Sequence, residues 1–72
     1  MSDPVSWLLV EPGWKVVDES GRRVGRVHEI TGDPEADIFD GVEVSHGLLE
    51  KTEYVPSERV VEIREGEVIV RA

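Results

Sequence analysis

The sequence predicts an all-β fold: a small antiparallel, strongly bent β-barrel of about six strands, preceded by a short N-terminal arm. Three observations lead there. Short runs rich in valine and isoleucine recur along the 72 residues, and turn signals separate them at the spacing of about 8–12 residues typical of small sandwiches and barrels. Gly25 interrupts the second run and Gly41 the third, and a glycine inside a strand marks a bulge or a sharp bend of the kind a small barrel needs to close. The one stretch with a helical look, Val24, Val27 and Ile30, is β-branched and contains Gly25, which argues against a helix. A bulge near Gly25 turns that spacing of three into a bent strand.

The elements follow in order. Residues 1–12 form an arm, in which Asp3-Pro4 is suited to open a helical turn. Pro12-Gly13 ends the arm, and residues 13–72 form the barrel domain. The first strand is Trp14 to Val17. Asp18-Glu19-Ser20-Gly21 is a tight turn, and the second strand runs from Arg22 to Thr31. Gly32 to Asp37 is a loop by composition. The third strand, Ile38 to His46, carries Ile38, Asp40, Val42, Val44 and His46 on one face. A bulge at Gly41 would return Phe39 to the core side. Gly47 to Glu50 turns the chain into a fourth strand, Lys51 to Val55. Pro56 to Arg59 is a turn or a single 3₁₀ turn, because Pro56 cannot extend a central strand. The fifth strand is Val60 to Arg64, with Val61 and Ile63 on one face. Glu65-Gly66 then makes a hairpin to a sixth, Glu67 to Arg71, with Val68 and Val70 inward.

A chain this short buries only about 60% of the surface its unfolded form exposes. Such chains commonly add a disulfide, a metal or a partner subunit. There are no cysteines, which removes disulfides and thiolate metal sites and raises the weight of oligomerisation, with a homodimer as the expected form. No basic leader and no apolar run near the ~20 residues of a membrane span is present, so the expected location is cytoplasmic.

The net charge of −8 is unevenly placed. Between Arg26 and Lys51 there are seven acids and no Lys or Arg. A nucleic-acid binder needs a basic footprint on the phosphates, and an anionic membrane attracts bases rather than acids. Both partner classes are set aside. The acidic stretch instead favours a protein partner with a basic surface, through encounter rate and specificity.

Four acids in that stretch, Asp33, Glu35, Asp37 and Asp40, are candidates for a Ca²⁺ or Mg²⁺ loop, since hard cations need clustered oxygens. The EF-hand pattern fails, because counting from Asp33 the glycine position is Ile38 and the terminal glutamate position is Val44. The alternative is a solvated acidic loop. His28 and His46 lie in the same interval, and a metal site would need them within ligand distance of carboxylates. No Ser has a base and an orienting partner in view, and no phosphate-binding glycine loop is present. The sequence therefore predicts no enzyme, no catalytic residue and no cofactor. Outside the barrel, Trp7, Leu8 and Leu9 are the candidate interface residues. Two readings of them stay open: they bind another chain, or they fold back and cap the barrel. Leu48 and Leu49, at a turn, are further interface candidates.

Several segments together resemble the PRC-barrel family, the small β-barrel also found in the photosynthetic reaction-centre H subunit and in a ribosome maturation factor. They are Gly13 with Val16-Val17-Asp18, Gly21 to Val27, Asp37-Ile38-Phe39-Asp40-Gly41-Val42, Tyr54 to Val60, and Ile63 with Gly66-Glu67-Val68. The resemblance spans about Glu11 to Arg71. It implies a near six-stranded barrel serving as an assembly or adaptor module, with no shared catalytic residues to carry over. The basic surface expected of a ribosome-associated relative is missing here. The function expected is a non-catalytic interaction or assembly module, with a small-ligand or cation-binding domain using residues 33–40 as the alternative.

Overall fold

The computed structural model describes residues 6–47 and 51–71. It shows an all-β chain of six strands: β1 (Lys15–Asp18), β2 (Arg23–Asp33), β3 (Ile38–Ser45), β4 (Thr52–Pro56), β5 (Val60–Arg64) and β6 (Glu67–Val70). One 3₁₀ turn, Trp7–Leu9, sits in the arm, and another, Ser57–Arg59, links β4 to β5. The strands form one sheet in the order β4-β3-β2-β1-β6-β5.

Two expectations are corrected here. The sheet is mixed, because β1 pairs with β6 in parallel, whereas β1–β2, β2–β3, β3–β4 and β5–β6 are antiparallel. The cause lies at Pro56–Arg59. A reversing turn there would alternate every strand. The single 3₁₀ turn instead carries the chain onward, so β4 and β5 run in the same sense and β6 returns alongside β1. The sheet is also open, since β4 and β5 are its two edges. It is nonetheless strongly curled. Six strands laid flat separate their edges by about 24 Å at ~4.8 Å per step, yet the four Cα steps from Pro56 to Val60 reach no more than about 15 Å.

Bulges supply the bend. The β1–β2 register slips at Val24, beside Gly25, where the sequence places a bulge. A second slip, against β3, falls at His28. Together they bring Val24, Val27 and Ile30, three apart, to the same core. The third falls at Asp40, next to Gly41, and leaves Phe39 half-buried. Ile38 does not share the inward face of Val42 and Val44; it is 54% exposed. A fourth bulge, at Val61, overturns the expected face of β5. Val60 and Ile63 pack on the core, and Val61 is 46% exposed.

Among the described residues the nine buried hydrophobic side chains are all valines: Val10, Val16, Val17, Val27, Val42, Val44, Val55, Val68 and Val70. Valine is stiff and short, and its branched side chain packs well on a pleated surface. It suits the narrow interior of a tightly curled sheet. Val68 and Val70 point inward as their alternation predicts. Trp14, Val24, Ile30, Val60 and Ile63 close the core at its margins.

Candidate functional site

The arm is fixed to the sheet by its tryptophan. Ser6 caps the 3₁₀ turn, its hydroxyl accepting from the Leu8 N–H at 3.2 Å. That turn presents Trp7 to the hairpin of β2 and β3. The indole stacks on Phe39, with ring centroids 5.4 Å apart and planes 17° from parallel. Its Nε1–H donates to Asp37 Oδ1 at 3.0 Å. Gly32 makes room beneath it, since a Cβ there would lie 2.9 Å from Trp7 Cη2. Leu8 and Leu9 face away, 49% and 62% exposed. The two readings of the arm thus divide by residue: Trp7 caps its own sheet, and Leu8 and Leu9 remain uncovered.

Beside Trp7 lies a groove of about 260 Å³, lined by Trp7, Phe39, Ser57, Val60, Val61, Glu62 and Ile63. It occupies the seam of the open sheet. One wall is β5. The other is the start of β3, which lies beyond the reach of β4, because β4 pairs with β3 only over Gly41–Ser45. Among the residues describing this groove, sequence reasoning named Trp7 as an interface candidate and placed Phe39 toward the core, but missed the part played by Val61. The signal was present: Val60 and Ile63 are three apart, as are the core residues of β2.

The four acids of the proposed cation loop are not brought together as ligands. Asp33 Oδ1 accepts from the backbone N–H groups of Glu35 at 3.1 Å and Ala36 at 3.4 Å, closing the turn. Asp37 adopts φ 54°, a left-handed conformation that Asp tolerates better than most residues, and accepts from Trp7. Asp40 lies at the bulge, where its carbonyl oxygen accepts from the Tyr54 hydroxyl at 2.9 Å. Glu35 is exposed. Among the described residues no group of three or more His, Asp and Glu is arranged to hold a metal.

His28 is exposed at its bulge. His46 sits between strands instead: Nδ1 lies 3.1 Å from the Val24 carbonyl oxygen, and Nε2 lies 3.2 Å from Glu53 Oε1. Glu53 in turn pairs with Arg59 at 3.7 Å. Val24 is the residue of β2 bulged against β1, so His46 ties that bulge to β4. This is a structural brace spanning three strands, with one carboxylate at hand. Leu48 and Leu49 lie outside the described residues.

These features define a small, curled all-β domain whose distinctive surfaces are an apolar arm and an open seam. Residues 13–72 match the PRC-barrel domain family, and the chain belongs to that family. No curated protein matches the chain closely enough to add a relative.

Proposed function

We propose that this protein is a non-catalytic interaction module that assembles as a homodimer. The observation that carries the reading is the division within the arm. Trp7 is committed to its own sheet, which orders the turn, and the ordered turn holds Leu8 and Leu9 in solvent at 49% and 62% exposure. Two adjacent exposed leucines on a fixed turn, beside a core of small valines, fit a contact that a second copy would cover. Family membership supports an assembly role, and the acidic stretch from Glu29 to Glu50 supports further partners of basic surface.

Sedimentation across micromolar concentrations tests the dimer. The expected result is a dimer that Leu8→Lys with Leu9→Lys converts to a folded monomer. A wild-type chain that stays monomeric throughout that range overturns it.

A further inference from the structure

We propose that the open seam along β5 takes an extended, basic segment of another protein as an added strand. The proposal rests on the reading of the chain as an interaction module, and supplies the chemistry of one partner.

The groove is lined by four consecutive residues of β5, Val60 to Ile63. Val60 and Ile63 face the core while the bulged Val61 is exposed, so a groove touching all four residues meets both faces of β5 and runs along its edge. Among the described residues that edge is unpaired, since β5 is the last strand of the sheet and only β6 pairs with it. An exposed edge is a template for strand addition, in which main-chain hydrogen bonds give affinity and alternate side chains give specificity. The facing wall offers Trp7 and Phe39 as an apolar floor, while its Asp40 carbonyl is already taken by Tyr54. Pairing therefore falls to β5, and anchoring to the aromatic wall. At about 260 Å³ the groove is below the roughly 300–1,000 Å³ of a site enclosing a drug-sized ligand. It suits side chains carried on a strand.

Charge selects the occupant. Glu62 lines the groove, and Glu58 and Asp40 adjoin its lining residues Ser57 and Phe39 in the chain; among the described residues neither Glu58 nor Asp40 has an ion-pair partner. Of the two nearby bases, Arg59 is held by Glu53 and the Arg71 carbonyl, and Arg64 pairs with Glu62 at the groove itself, so Glu58 and Asp40 are the acids left for an incoming base. A segment with apolar residues at alternate positions and Lys or Arg between them matches both floor and rim. A second copy fits poorly, because an isologous contact needs a self-complementary patch and two concave seams do not fill one another.

Selection of a random library of unstructured peptides about seven residues long, one strand's length, on the full chain tests this. The expected winners alternate apolar residues with Lys or Arg, and shift the amide resonances of Val60 to Arg64 and the Trp7 indole N–H. Val61→Lys, at an exposed position, weakens them at least about tenfold, and so does high salt. Glu62→Lys, checked for folding by circular dichroism, moves the selected charge toward acidic. Enrichment no greater than on Val61→Lys overturns the proposal, as do acidic winners on the wild type or shifts confined to Leu8 and Leu9. Concentration-dependent shifts of the β5 amides without peptide also overturn it, by giving the seam to a second copy. A monomer in sedimentation with basic peptides on β5 removes the dimer alone; a dimer with no such peptides removes this proposal alone.

Discussion

Trp7 and Phe39, 32 positions apart in sequence, stack at 5.4 Å, and that contact, with the buried Val10, makes the arm part of the folded body. Three further groups serve it: Ser6 orders the turn, Asp37 accepts the indole N–H, and Gly32 leaves the space. Aromatic pairs of this geometry contribute about 0.5–1.5 kcal/mol beyond area burial. Trp7→Ala should therefore lower unfolding stability by about 1–2 kcal/mol, read by urea denaturation. Gly32→Ala should lower it by about 1–3 kcal/mol through overpacking, because its Cβ would run into both the indole and the Ile38 carbonyl oxygen. No change in either variant would separate the arm from the fold.

Glycines divide by environment, and substitution should reveal it. At Gly25 a Cβ would collide with the Ser45 carbonyl oxygen and lie 2.9 Å from Val44 Cγ1, backbone and core atoms that have little freedom to move. At Gly13 it would meet open space, and only the backbone at φ 95° resists it. Gly13→Ala should cost about 1–2 kcal/mol from the left-handed backbone alone. Gly25→Ala should cost more, and each kcal/mol lowers Tm by roughly 4–8 °C in a domain this size. Thermal unfolding of the two variants, side by side, gives the order directly; a milder effect at Gly25 would contradict the close approach.

Strand content was legible in the valine runs, and the hairpin of β5 and β6 at Glu65-Gly66 was readable to the residue. Bulges were legible where a glycine marks them, at Gly25 and Gly41. At Val61 no glycine marks the bulge, and simple alternation puts Val61 on one face with Ile63, whereas it is Val60 that packs on the core with Ile63. The parallel pairing of β1 with β6 was not legible, because nothing local at Pro56–Arg59 says whether a 3₁₀ turn reverses the chain or carries it forward. Nor was the bond from Trp7 to Asp37: an acid in a run of acids reads as a cation ligand until a distant donor reaches it.

The same loop predicts a negative metal response. Asp33 is occupied by the N–H groups of its own turn and Asp37 by the Trp7 indole. A divalent cation would have to displace these bonds to gather several oxygens, as Ca²⁺ requires. A native-state ligand raises stability by mass action, so Ca²⁺, Mg²⁺, Mn²⁺ and Zn²⁺ at about 1 mM should leave Tm unchanged. A rise that Asp33→Asn abolishes would restore the cation loop.

Acid should loosen the first hairpin through Asp18. Its Oδ1 accepts from the Ser20 hydroxyl at 2.6 Å, the Ser20 N–H at 2.9 Å and the Arg22 N–H at 3.0 Å. The Ser20 hydroxyl first, then the Arg22 N–H, hold this carboxyl below the usual carboxylate range, because each donor favours the ionised form. A carboxyl depressed in the folded state adds stability that is fully present above its unfolded value, about 3.9 for Asp, and is lost as pH falls through the lower folded value. Asp18→Asn keeps an oxygen for the same donors and removes the charge. The variant should be less stable than the wild type at pH 7, and the gap should close as pH falls below about 4. Urea denaturation of both proteins across that range measures it. A gap that persists unchanged at the lowest pH would mean that the turn depends on the shape of Asp18 and not on its charge.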